Sequence, residues 1–233
     1  MELTILLFSS LAAGFIHTIL GPDHYVPFIS LATARHWSKR RTFITTLLCG
    51  IGHVLSSVII AVIGVMLGKE IMTIKAVEAF RGNIAGWLLL IFGFTYLVYG
   101  IFAAIKNKPH VHVHAHRDGT LHTHTHSHIE THAHPHDKKA GLTPWVLFII
   151  FVFGPCEPMI PLIMYPAAKG NMMEAVLVAL VFSVTTIATM TTVTMLTVSG
   201  LNKVKSAPLE RYAHMIAGAV IFLAGVGIQF LGL

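Results

Sequence analysis

The sequence predicts an all-α membrane protein of six transmembrane helices, arranged as two inverted three-helix repeats in which helices 1 and 4 are broken. Three observations carry this: six apolar runs of spanning length, basic residues that alternate from loop to loop, and a motif pair that recurs at one offset.

Hydrophobic residues make up 55% of the 233 and charged residues 11%, with a mean hydropathy of +0.73, far above the soluble range. The runs are Leu3–Leu20, Thr42–Leu67, Ile84–Ile105, Trp145–Ala168, Ala175–Val198 and Ala213–Leu233. A span needs about 20 residues at a rise of about 1.5 Å. Lipid offers backbone N–H and C=O groups no partner, so such spans must be helical. Only Glu2 is charged ahead of the first run, with nothing basic there, so this run is expected to be a retained span and not a cleaved signal.

The formal charge of +6 would suggest nucleic acid in a soluble protein; its distribution points to the bilayer instead. Arg35, Lys39, Arg40 and Arg41 follow the first run, Lys106, Lys108, Arg117, Lys138 and Lys139 the third, and Lys203, Lys205 and Arg211 the fifth. These are 12 of the 16 basic residues; Lys69, Lys75, Arg81 and Lys169 fall on the other side. The positive-inside rule then places the basic loops in the cytoplasm and both termini outside, in a multi-pass plasma or inner membrane protein.

The repeat follows from Gly21-Pro22-Asp23-His24, which is echoed by Gly154-Pro155-Cys156-Glu157 133 residues later, and from Ile84-Ala85-Gly86, echoed by Ile216-Ala217-Gly218 132 residues later. Gly93 and Gly100 keep step with Gly225 and Gly232. Three spans per half, an odd number, invert the second half relative to the first, an architecture associated with transporters. The expected units are 1–105, the first three-helix repeat; 106–141, a cytoplasmic His-rich loop without ordered structure; and 142–233, the second repeat.

Ionisable residues at membrane depth are costly and usually face a partner or a pathway. His17, Asp23 and His24 flank Pro22, which should break the first helix. His53 lies within the second run, one turn after Cys49, and Cys156 and Glu157 occupy the related break of the fourth. Imidazoles, carboxylates and a thiol suit a divalent transition metal. The expected metal residues are therefore His17, Asp23, His24, His53, Glu157 and Cys156. Cys49 reads as a small packing residue. Thr185, Thr189 and Thr192 place hydroxyls on one face of the fifth span, either for a pathway or for close helix packing.

His17, then five residues, then Asp23-His24 resembles the His-x4-Asp-His signature of nickel/cobalt transporters, one residue longer. The His-rich loop is similar to that of the cobalt/nickel efflux branch, and the overall pattern resembles urease-accessory-type nickel permeases. The resemblance implies a metal site at His17, Asp23 and His24. Gly154-Pro155-Cys156-x-Pro158 resembles the membrane-embedded Pro-Cys motif of the thiol–disulfide electron carriers of cytochrome c biogenesis. Those carriers use one cysteine in each half. Here the mate of Cys156 is Asp23, which cannot exchange a disulfide, so shared architecture without redox activity is expected.

Between the third and fourth runs stand His110, His112, His114, His116, His122, His124, His126, His128, His132, His134 and His136. Alternating His with no apolar face builds no core, while imidazole binds Ni, Co, Zn and Cu. The expected function is secondary transport of divalent metal, nickel or cobalt first and zinc or iron next, with a slight lean to export. The alternatives are an anion (sulfite-type) exporter, a transmembrane thiol-redox carrier, and a metal sensor or chaperone scaffold. No Walker motif is present, no enzymatic activity is expected, and no cofactor is expected to be permanently bound. The expected partners are the metal ion and the lipid bilayer, with a second copy of the chain and a metallochaperone as further candidates; nucleic acid is not among them.

Overall fold

The computed structural model describes residues 2–68, 70–106, 110–115, 121–126, 143–201 and 207–231. Eight α-helices occur among them: α1 (Glu2–Leu20), α2 (Val26–Ala34), α3 (Lys39–Met66), α4 (Ile71–Lys106), α5 (Thr143–Phe153), α6 (Met159–Ala168), α7 (Met172–Leu201) and α8 (Ala207–Val226), the last continuing into a π-turn at Gly227–Leu231. Five helical stretches are long and apolar enough to cross a membrane, namely Glu2–Leu20, Lys39–Met66, Ile71–Ile105, Met172–Leu201 and Arg211–Leu231. Their large apolar side chains point outward: Phe8 is 70% exposed, Phe80 68% and Leu196 69%. Apolar surface on this scale needs a lipid solvent. The chain is a multi-pass membrane protein whose spanning segments are helical.

Both expected helix breaks are present. The ring of Pro22 follows Gly21, and the chain makes one 3-10 turn over Pro22–His24 before α2 begins with Pro27 in its first turn. Proline lacks an N–H and fits the first turn of a helix but not its interior. In the second half, Gly154 to Pro158 separates α5 from α6. α2 and α6 start 133 residues apart, as do α3 and α7, the offset at which the Gly-Pro motifs recur. The apolar run Leu3–Leu20 accounts for α1 alone, and α2 extends that limb to Ala34.

Two elements depart from the sequence reading. α4 begins at Ile71, well before the apolar run at Ile84, so Arg81 is not a loop residue: it is buried within α4. Its charge is met inside the protein, a condition hydropathy does not register. In the His-rich segment, β1 (His110–Ala115) and β2 (Leu121–His126) pair antiparallel, with His110 opposite His126, His112 opposite His124 and His114 opposite His122. The expectation of no ordered structure is corrected at these twelve residues. His alternating with Val and Thr is a period-two pattern rich in strand formers. His116, His128, His132, His134 and His136 lie outside the described residues, as do Lys69, Lys108, Arg117, Lys138, Lys139, Lys203, Lys205 and Gly232.

The glycines that keep step between the halves form a crossing of α4 and α8. A Cβ on Gly225 would lie 2.7 Å from Leu90 Cα, one on Gly93 2.6 Å from Phe222 Cα, and one on Gly100 2.5 Å from Met215 Cα; Gly218 meets the backbone of Tyr96 and Leu97. The two backbones touch, as small residues permit in membranes.

Candidate metal centre

The Pro22 break positions the site. Had α1 continued, His17 and His24 would be stacked two turns apart. Instead the turn folds His24 back, and the two rings lie edge to face with centroids 4.6 Å apart. His53 enters from α3, its centroid 4.9 Å from that of His24 and 6.3 Å from that of His17. One ligand atom from each of His17, His24 and His53 lies within 4.8 Å of the others.

Hydrogen bonds orient two of the rings. His24 Nδ1 is 3.1 Å from the Gly21 carbonyl and 3.0 Å from Asp23 Oδ1. Both are acceptors, so Nδ1 carries the hydrogen and Nε2 presents a lone pair. His53 Nδ1 lies 3.2 Å from the Phe151 carbonyl, with the same consequence. The two Nε2 atoms face each other at 3.2 Å, and His17 Nε2 is buried without a partner among the described residues. The Cys156 thiol, 3.0 Å from the same His53 Nε2, can donate to one of these lone pairs, and a proton or a cation shared between the rings would relieve their opposition directly. Nitrogens bound at about 2.0–2.1 Å to one tetrahedral or octahedral ion stand about 2.9–3.4 Å apart. A carboxylate or carbonyl behind each imidazole is the usual support of a metal-binding histidine.

Glycine leaves the room this requires. A Cβ on Gly21 would fall 2.5 Å from His24 Nδ1, and one on Gly154 2.7 Å from His53 Nδ1. The rings line a cavity of about 880 Å³ together with Asp23, Glu157, Gly82, Asn83, Pro155 and Gln229.

Of the expected residues, His17, His24 and His53 converge. Asp23 stands behind His24, on its Nδ1. Cys156 is fully buried, with Sγ 3.0 Å from His53 Nε2, and Glu157 is an exposed residue on the cavity wall. Cys49 is buried in an apolar cluster with Met190 and is a free thiol, as is Cys156 in a different cluster. On α7 the buried threonines are Thr186, Thr191 and Thr194, whereas Thr192 is exposed and the Thr185 hydroxyl bonds to the Val181 carbonyl at 2.8 Å.

Sequence reasoning missed Glu78 and Arg81. Glu78 is fully buried and paired with Arg81 at i, i+3. Glu78 Oε2 accepts from Ser57 Oγ at 2.8 Å and from the Cys156 N–H at 3.1 Å. Arg81 donates to Ser56 Oγ at 2.6 Å and to the Val152 and Gly154 carbonyls at 2.6 and 3.4 Å. Arg81 thus closes the carbonyl end of α5, where a helix favours positive charge, and Glu78 takes the N–H that follows Pro155 inside the break. One turn of α4 clamps both sides of Gly154–Pro155. An opposite-charge pair at helical spacing beside Gly82 was the available signal.

Residues 25–227 match the family described as cytochrome C biogenesis protein transmembrane region, and the chain belongs to that family. The match begins at Tyr25, directly after Asp23 and His24. It bears out the resemblance to the thiol–disulfide membrane proteins; nothing in the comparisons ties the chain to the nickel/cobalt transporters. No curated protein and no solved structure matches.

Proposed function

Taking that family's membrane scaffold as the premise, we propose that this chain is a secondary carrier of divalent transition-metal cations, nickel or cobalt first. The supporting observation is the convergence of the imidazoles of His17, His24 and His53, two of them held by Nδ1–H bonds with Nε2 turned inward. Counted with its break as one crossing, α5–α6 completes six spans, and the two halves become inverted repeats around the site. The His-rich segment collects metal on the cytoplasmic face, and both termini lie outside. Asp23 and Glu157 give the cavity a negative wall that suits a cation and opposes an oxyanion.

The second reading is a transmembrane thiol-redox carrier, and the family match speaks for it more directly than for metal transport. Cys156 in the fourth-span break is the residue that supports it. Against it, disulfide formation needs Cα atoms about 4.4–6.8 Å apart, and Cys49 and Cys156 are packed in separate apolar clusters.

Proteoliposome flux of Ni, Co, Zn, Mn and Fe, with sulfite as the anion control, decides between the readings. His53→Ala should abolish metal flux. Asp23→Asn keeps an acceptor for His24 Nδ1 but loses the charge, and should weaken metal affinity by about 10–100-fold, the usual effect of removing such support. Full flux in His53→Ala removes the metal carrier. Thiol transfer across the bilayer that is lost in Cys156→Ser establishes the redox carrier.

A further inference from the structure

The cavity at the histidines is walled by Ala13 and Ile16 of α1, the first half of α4, Ile150 and Phe151 of α5, Pro155–Pro158 and Gln229, most of them on the side away from the His-rich segment. Toward that segment the histidines are sealed, Cys49 being 1% and Met190 0% exposed.

At this seal and beyond it lie hydroxyls with nothing to bind. Thr46 on α3 and Thr186, Thr191 and Thr194 on α7 are at most 9% exposed, and none of their Oγ1 atoms has a hydrogen-bond partner among the described residues. A helical threonine or serine ordinarily bonds to the carbonyl four residues back. Thr18, Thr42, Thr95, Ser183 and Thr185 do so here, at 2.6–3.1 Å. The other four forgo that bond, although an unmet buried hydroxyl is costly.

Their spacing makes them a column. Thr186, Met190 and Thr194 follow one another at i, i+4 on one face of α7. Gly50 of α3 meets Ile187 and Met190, whereas Val54 to Val65 share a groove with Met172 to Val184, so the two helices run antiparallel. Thr46, one turn before Gly50, therefore shares the next layer with Thr194, one turn after Met190. From His53 to Thr46 is about 10 Å along the helix axis, and from Thr186 to Thr194 about 12 Å. Thr33 Oγ1 at that end of α2, and Trp37 Nε1 just past it, are also buried without partners among the described residues.

We propose that Thr46, Thr191 and Thr194 line the second half of the cation path, approached past Thr186 at the level of the histidines, shut in this conformation by Cys49 and Met190 and hydrated when the site opens toward the His-rich segment. The proposal rests on the metal-carrier reading. Neutral hydroxyls suit a transit lining, because they replace part of an ion's water shell yet bind weakly enough for it to leave.

The test pairs Thr46→Val/Thr194→Val, which keeps volume and removes two hydroxyls, with Thr46→Ser/Thr194→Ser, which retains them. Nickel and cobalt flux in proteoliposomes, equilibrium metal binding in detergent and melting temperature are read on the same preparations. The valine pair should bind metal within twofold of wild type, melt at the same or a higher temperature, and lose at least tenfold in flux; the serine pair should keep its flux. In addition, Thr194→Cys should be modified by a membrane-impermeant thiol reagent from the His-segment side only. Flux within twofold of wild type in the valine pair overturns the path and leaves the carrier standing. So does a valine pair that loses stability in step with flux, which marks the hydroxyls as structural. A wild type that moves no metal overturns both.

Discussion

Replacing Glu78 by Gln tests the clamp on the fourth-span break without assuming any function. The fully buried carboxylate faces Arg81, the Ser57 hydroxyl and the Cys156 N–H. Glutamine is nearly isosteric, keeps one acceptor oxygen and cancels the charge. Arg81 is then left with its guanidinium buried and uncompensated, and removing one partner of a buried pair costs about 3–5 kcal/mol. At about 2–4 °C per kcal/mol for a chain of this size, the melting temperature should fall by about 6–20 °C. Glu78→Met/Arg81→Met removes both charges and should melt above Glu78→Gln, because replacing a whole buried pair by apolar side chains is close to neutral. Thermal unfolding in detergent, followed through the three tryptophans Trp37, Trp87 and Trp145, reads both variants. A shift under about 2 °C for Glu78→Gln, or a double variant less stable than that single, would refute the reasoning that α4 holds the break through a desolvated charge pair.

Two further outcomes follow from packing and from the loop. Gly218→Leu places a branched side chain against the Tyr96–Leu97 backbone, and it should destabilise the fold by at least the roughly 1–3 kcal/mol typical of overpacking; a melt within about 1 °C of wild type would contradict the backbone contact. Deleting His110–His136 should raise the metal concentration needed for half-maximal flux while leaving flux measurable, since a tether concentrates ions but does not conduct them. A folded deletion protein that moves no metal would place these histidines in the path itself.

How much of this was legible in the sequence depends on whether the signal was local. Pro22 and Pro155 mark the breaks because proline cannot sit in a helix interior without removing a hydrogen bond, and the histidines beside the first break do converge with His53. His53 could be flagged as polar within an apolar run, but its meeting with His24 is a contact between residues 29 apart that no spacing rule supplies. Glu78 and Arg81 were hidden for the opposite reason. Charges lower the hydropathy of a window, so the stretch before Ile84 read as a loop, although the pair neutralises itself inside the protein. The threonine face expected at Thr185, Thr189 and Thr192 differs from the buried set Thr186, Thr191 and Thr194, because similar hydroxyl spacings on both sides of a helix leave its rotation undetermined until the neighbours are known. At β1 and β2 composition was read as disorder, and the period-two alternation of His with Val and Thr that the strands follow went unused.

The glycine crossing of α4 and α8 has a mechanical consequence. Helices separated by side chains can slide, because rotamers repack as they go; helices whose backbones touch cannot, since each glycine notch admits its neighbour in one register only. α4 and α8 therefore travel as a single strut, and through Arg81 and Glu78 that strut carries the ends of the α5–α6 break with it. His17 belongs to α1 and His53 to α3, helices outside the strut. Because Glu78 and Arg81 also bond to Ser57 and Ser56 of α3, the strut holds the helix that carries His53, and a motion of α1 and the Pro22 turn relative to it must stretch some edges of the histidine triangle and spare others. An ion held there would lose its ligands one at a time, and would be let go by degrees.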